Sequence, residues 1–427
     1  MKNILLCLLL FTSCRAAVTP APEEKLKVTQ EIMAMEHPGR SGLANFFTKM
    51  NAGGNVKIAY FGGSITEAGN GWRDQSFNWL QSKYPAVTLS QVNAGIGGTG
   101  SDLGVFRLQK DVLSKNPDLV FVEFAVNDNA LPAQVIHKTM EGIVRQIWTA
   151  DEQTDICFVY TVTEGTAPTL VNGQLTGAMQ AMEDVAAHYG IPSVQMCDSV
   201  IQLYKAGSLI FKGVPADHPD KIVFSKDGTH PYPETGHRLY AATLAQALDS
   251  FAQITTLPTS RLVAALDADN WEDAKMIPAN ELTYNGTWTA ITTGDTIIPG
   301  HLLNKFPNLM RGDSTQAPAA TIQYQGSLAG LYDVVGPGCG QLEIYVDGTL
   351  LAKKKRFDKY STYYRPQYFY YKDIAQGSHT IEFRVSSEPF DKMAILAQGN
   401  NEVGDTSRYG TYSCYIGYLL LRGQVQE

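Results

Sequence analysis

Four short blocks hold the chemistry of this chain: Gly62-Gly63-Ser64-Ile65-Thr66, Asn93-Ala94-Gly95-Ile96-Gly97-Gly98-Thr99, Val126-Asn127-Asp128 and Asp227-Gly228-Thr229-His230. A serine hydroxyl is a poor nucleophile until a base takes its proton, and His230 is the base this set offers to Ser64. Asp227 lies three residues before it. At that spacing its carboxylate reaches back to one ring nitrogen, setting the tautomer and stabilising the imidazolium, while the other nitrogen faces the serine. The glycine block supplies backbone N–H groups with no Cβ in the way, and Asn127 supplies a carboxamide. Such donors meet the negative charge that gathers on a carbonyl oxygen under attack. Gly-Gly-Ser turns are common and Asp-x-x-His arises by chance, so the weight rests on the four blocks occurring together and in order. The chemistry they share is acyl transfer.

These residues need a scaffold. Apolar runs at 56–61, 87–92, 119–124, 156–162 and 192–196 alternate with amphipathic stretches, the pattern of a parallel sheet covered by helices on both faces. Ile136, Met140, Ile143, Val144 and Ile147 recur at three-to-four spacing and predict a helix over 134–150 with one buried stripe. Met179, Met182, Val185 and Ala186 mark a second helix, ended by Gly190. Ser64, the 95–98 glycines and Asn127 each follow the end of an apolar run. In an open α/β sheet the ligand crevice lies outside the carboxyl ends of the strands, where strand order reverses, so the blocks converge. Beyond about residue 254 the helical period gives way to alternation. Leu342, Ile344 and Val346 run into Asp347-Gly348, and Ile381, Phe383 and Val385 repeat the pattern, predicting hairpins of an all-β sandwich.

Over roughly residues 55 to 250 the blocks resemble those of the SGNH hydrolases, also called the GDSL esterase/lipase family. The run 122–128, with Asp227-Gly228-Thr229-His230-Pro231, is similar to the bacterial carbohydrate-esterase branch. The resemblance implies a flavodoxin-like, three-layer, doubly wound parallel sheet, with Ser64, Asp227 and His230 as catalytic residues. It implies an oxyanion hole made of the N–H groups of Ser64 and Gly98 and the side chain of Asn127; counting from Asn93 favours Gly98 over Gly97. One departure is clear. The family's Gly-Asp-Ser-Leu is here Gly62-Gly63-Ser64-Ile65, so the acid before the serine is missing. That acid belongs to no triad, and its loss bears on support of the loop. The implied activity is a serine esterase that removes small acyl groups, O-acetyl foremost, from complex carbohydrate, with no metal or organic cofactor. A lipase or thioesterase of the same fold and a non-catalytic glycan-binding lipoprotein are the alternatives.

The chain divides into a signal at 1–14, a tether and N-terminal extension at 15–50, a catalytic domain at 51–255, a linker or wrapping extension at 256–280 and a β-sandwich at 281–427. Composition is 44% hydrophobic and 18% charged, and the net charge of −8 disfavours nucleic acid and anionic lipid surfaces. The expected partner is an acylated polysaccharide or oligosaccharide. Lys2 and the apolar run 4–11 read as a secretory signal too short to span a bilayer. Phe11-Thr12-Ser13-Cys14 resembles a bacterial lipobox, which makes Cys14 the candidate lipidation site of an exported lipoprotein of the periplasm or cell surface; cleavage near Ala16 or Ala17 is the alternative. The lipid is then the only membrane contact. Cys339 and Cys414 are the favoured bridge, with Cys157 and Cys197 as buried thiols. Trp72 and Arg73 are candidates for lining the substrate pocket, or else for a helix-start core. The run 353–356 reads as a solvated hairpin edge. The aromatic-dense stretch 360–371 offers rings for core, sugar stacking or both.

Overall fold

The computed structural model describes residue 40 and residues 42–426 other than 258, 259, 402 and 404. The signal, the lipobox with Cys14 and the tether to residue 39 lie outside the described residues. Strands β1 (Gly54–Gly62), β2 (Val87–Gly95), β3 (Leu119–Glu123), β4 (Asp155–Val159) and β5 (Ser193–Val194) form a parallel sheet in the order β2-β1-β3-β4-β5. Strands β3 and β4 are buried along their whole length, which is why their sequences are unbroken apolar runs. The helix Ala133–Ala150 buries the predicted stripe, and it packs beside the helices Ser101–Asp111 and Gly177–Tyr189. The helix Gly177–Tyr189 starts where the Thr176 hydroxyl accepts the Met179 N–H at 3.2 Å, and it ends on Gly190 at φ 65°.

This order is the flavodoxin-like one, with its reversal between β1 and β3. At the carboxyl end of β1, Gly62 pairs with Gly95 of β2 on one side and with Glu123 of β3 on the other. The segments carrying Ser64, Gly98 and Asn127 therefore leave the sheet side by side. The fourth block arrives differently. The stretch 206–226 folds into β6 (Leu209–Lys212) and β7 (Ile222–Ser225), a parallel pair that buries Leu209, Phe211, Val223 and Phe224. The Asp227 loop leaves the end of β7.

The C-terminal region is antiparallel. Its strands are β8 (Ala274–Pro278), β9 (Thr283–Asn285), β10 (Trp288–Ala290), β11 (Met310–Asp313), β12 (Ala319–Val335), β13 (Gln341–Val346), β14 (Thr349–Lys355), β15 (Arg365–Tyr371), β16 (Gly377–Val385), β17 (Ser413–Ile416) and β18 (Tyr418–Val425). A large sheet runs β14-β13-β16-β12-β18-β8, with β9 and β15 also paired to β12, and a small one runs β10-β11-β17. Leu331, Ile344, Phe383 and Leu421 share a core with Cys414 and Ile416 of the small sheet.

Residues 260–280 are tied to both regions. Arg261 pairs with the buried Asp155 at the start of β4, Trp271 packs on Phe106 at a ring distance of 5.7 Å, and β8 joins the sheet beside β18. The 353–356 run is only partly solvated: Arg356 is fully buried and pairs with Asp333 of β12, while Lys353 reaches Glu388 at the surface. The favoured bridge is not formed. Cys339 and Cys414 are both buried free thiols, because the register sets Cys339 opposite Ser413, one residue short of Cys414.

Candidate active site

Ser64 opens the short helix Ser64–Glu67 directly after β1, so its own N–H has no intrahelical partner. Its Oγ lies 2.9 Å from His230 Nε2, and His230 Nδ1 lies 2.7 Å from Asp227 Oδ2. The other carboxylate oxygen, Oδ1, accepts the N–H groups of Thr229 at 2.9 Å and His230 at 2.8 Å. One aspartate thus folds its loop and orients the imidazole. Gly228 completes the turn at φ 87°, and its N–H donates to Ser225 Oγ at 2.7 Å, anchoring the loop to β7. Burial pushes the Asp227 carboxyl up, but the His230 backbone N–H, the His230 ring and the Thr229 N–H outweigh it and hold the group at about 2. It stays ionised across the neutral range.

The two glycines of the second block have different partners. Gly97 donates its N–H to Glu67 Oε2 at 2.7 Å. Gly98 sits at φ 71°, exposed, and its N–H donates to no group among the described residues. Asn127 is half-buried at the start of the turn after β3, and its amide lies against Gly63. A Cβ at position 63 would come 2.0 Å from Asn127 Oδ1. With Asn127 in this pose, position 63 has room only for glycine. The loop is held from below instead. Glu123 accepts the Thr66 hydroxyl at 2.9 Å and the Thr161 hydroxyl at 2.7 Å, and takes the Gly63 N–H as well. Complete burial pushes its carboxyl up to about 7 against those donors. Asp128, beside Asn127, is raised to about 7 by burial too. Its Oδ1 accepts the Ser101 N–H at 2.9 Å, while Oδ2 has no partner among the described residues.

Beneath the loops, the fully buried Arg107 donates to the carbonyls of Ala94 at 2.7 Å and Gly62 at 3.0 Å, tying the ends of β2 and β1. Sequence reasoning missed Glu123, Arg107 and Glu67 as supports. For the first two a signal existed, since each is a charged residue set among apolar neighbours on a buried strand or helix face. Trp72 and Arg73 are not brought to the open side of the site. Trp72 is fully buried on Tyr60 and Phe121, and Arg73 spends its guanidinium on Asp74, Gln91 and the Thr66 carbonyl. His237 is buried, with Nδ1 accepting the Trp72 N–H at 3.1 Å; burial lowers it to about 4, so it stays neutral.

The open side faces the β-region. A cavity of about 1010 Å³ runs from Glu67, Gly97 and Gly98 to Tyr360, Tyr363 and Arg365. Tyr360 and Tyr363 are each 57% exposed, whereas Phe369 of the same aromatic stretch turns into the sandwich core. This arrangement can activate a hydroxyl and offers free donors to an oxyanion, with a cavity beginning at Gly97 and Gly98.

Residues 60–239 match the model of the GDSL-like Lipase/Acylhydrolase family. No curated protein sequence is significantly similar to the chain. Among solved structures, the chain is similar to a two-domain esterase active on acetylated mannans, determined alone and co-crystallised with mannopentaose. Identity is 20%, TM-score 0.69, and the match covers 91% of this chain and 97% of that one. A catalytic mutant of an acetylxylan esterase from Geobacillus stearothermophilus matches 46% of this chain and 95% of its own, at 18% identity and TM-score 0.36. The two-domain likeness extends the shared fold over both regions. Residues 60–239 form a GDSL-like lipase/acylhydrolase domain, which makes the protein a hydrolase, and an antiparallel β-region follows that domain.

Proposed function

We propose that this hydrolase is a serine esterase that removes O-acetyl or similarly small acyl groups from a polysaccharide or oligosaccharide. The observation that carries the reading is the hydrogen-bonded line Ser64–His230–Asp227, with Gly98 of the second block at the edge of a cavity whose far wall bears exposed tyrosines. His230 Nε2 takes the Ser64 proton as Oγ attacks the ester carbonyl, and Asp227 stabilises the imidazolium. The N–H groups of Ser64 and Gly98 and the Asn127 amide receive the oxyanion. Collapse expels the sugar hydroxyl, which leaves with the proton from His230, and Ser64 keeps the acyl group. Water then attacks, losing its proton to His230, and the second collapse returns that proton to Ser64 and frees the acid. The glycan preference is supported by the tyrosine-bearing wall and by the fold shared with the acetylmannan esterase.

The test is acetate release by wild type and Ser64→Ala from acetylated mannan, xylan and pectin, with a long-chain ester alongside. Release from a polysaccharide, lost in the variant, is expected. Turnover of the long-chain ester alone would overturn the carbohydrate assignment. Residues 1–14 further support export with lipid attachment at Cys14. Metabolic labelling with a fatty acid, lost in Cys14→Ser, is the expected outcome, and an unlabelled wild-type protein would refute it.

A further inference from the structure

We propose that Tyr368 and Tyr370 of β15 are positioning residues for the oxyanion hole, so that the β-region is a working part of the hydrolytic centre for any ester, however small. The inference rests on the oxyanion reading above. Tyr368 donates its hydroxyl to Asp102 Oδ1 at 2.7 Å, and Tyr370 donates to Asp102 Oδ2 at 3.1 Å. The two rings stack 6.5 Å apart on one face of the strand, as the two-residue repeat of a strand requires. Asp102 is 4% exposed, and apart from the tyrosines it caps only the first turn of its own helix, Ser101–Asp111, through the Leu103 N–H at 3.0 Å. Among the described residues no cation pairs with it, and the two phenols are its donors from outside the helix.

That helix begins three residues after Gly98. The N–H of Ser101, next to Asp102, donates to Asp128 Oδ1, and Asp128 follows Asn127. Hydrogen bonds from Ser101 to Asp128 therefore join the segments bearing two oxyanion donors, and the tyrosines pin the Ser101 end. The pin is rigid: β15 pairs with β12 from Ala329 to Val335, and the Tyr370 ring is wedged against Trp271 at 5.4 Å and Phe106 at 6.3 Å. Gly98, by contrast, lies in an exposed turn where nothing would touch an added Cβ. Its placement depends on what holds the residues that follow it.

The experiment is steady-state kinetics of the full chain on p-nitrophenyl acetate, a probe with no sugar to contact β15. Tyr368→Phe/Tyr370→Phe removes only the two hydroxyls. A shift of the donors on the order of 1 Å is enough to cost up to about 100-fold, so kcat should fall at least about tenfold with KM within twofold. Asp102→Ala should match it, and Asp102→Asn, which keeps an acceptor for Tyr368, should restore most of kcat. If the double variant does not fold, the single Phe variants, each keeping one anchor, should show the same kcat-selective loss at smaller size. Wild-type kcat in folded Phe variants would overturn the proposal. Asn127→Ala separates the two failures. A loss there with none in the Phe variants sinks the clamp alone, whereas wild-type kcat in Asn127→Ala sinks the oxyanion reading beneath it.

Discussion

Replacing Gly63 with alanine adds one methyl group and should disable the enzyme while leaving it folded. Gly63 has φ −90° and ψ −152°, extended backbone that alanine adopts without strain, so no conformational cost arises. The cost is steric and local. The new Cβ would stand 2.0 Å from Asn127 Oδ1 and 2.8 Å from its Cγ, against an ordinary carbon contact of roughly 3.5 Å. Asn127 must swing away by more than 1 Å to relieve it, further than a hydrogen bond to an oxyanion tolerates. The loss should equal that of deleting the donor, about 100- to 1,000-fold in kcat, with KM little changed. Asn127→Ala should fall by the same factor, and Gly63→Ala/Asn127→Ala should fall no further than either single variant, because both remove one interaction. Gly63→Asp, which restores the family's acid, should fare no better than alanine. The assay is acetate release with far-UV circular dichroism as the control for folding. Wild-type kcat in Gly63→Ala, or losses that multiply in the double variant, would refute the reasoning.

Asp227→Asn should lower kcat by about 10³- to 10⁴-fold, since the amide no longer stabilises the imidazolium, and a variant within tenfold of wild type would remove Asp227 from the mechanism. Glu123 and Asp128 are both raised to about 7 in the fold, so their contribution to stability is fully present below the unfolded values of 4.5 and 3.8 and is lost as pH rises through about 7. Glu123→Gln should shrink the resulting drop in melting temperature between pH 5 and 8, and an unchanged slope would show that Glu123 ionises freely. Denatured without reductant, the protein should alkylate at Cys157, Cys197, Cys339 and Cys414; protection of the last two until reduction would restore the expected bridge.

The reacting groups were legible because acyl transfer demands particular side chains at particular strand ends. Ser64, Asn127 and the glycines follow apolar runs that the parallel sheet makes continuous, and Asp-x-x-His is local. The supports were not legible, because each acts across the fold: Arg107 reaches carbonyls on two strands, and Glu123 gathers donors from 63, 66 and 161. Trp72 and Arg73 looked available through proximity to Ser64 in sequence, yet the helix Trp72–Lys83 turns their side chains inward. The strands β6 and β7 are four residues each, too short for a period to declare itself. In the β-region, alternation marked the strands, but partner choice along β12 follows from packing of the completed sheet. The aromatic stretch divides accordingly, with Phe369 inward and Tyr368 and Tyr370 turned toward a helix more than 260 positions earlier in the chain.

The register of the large sheet also orders events in time. Strand β8 finds its partner in residues 418–422, and β12 takes the opposite edge of the same strand, so neither side of β18 can close until segments distant in sequence have met. Pairings of such long separation form slowly, whereas the α/β layers rest on contacts between neighbouring strand-helix units. On dilution from denaturant, helical signal and burial of Trp72 should return first. Ester turnover should lag behind, appearing only when β15 has been delivered on a finished sheet to Asp102. A chain caught in that interval would be ordered at the nucleophile and still unable to turn over.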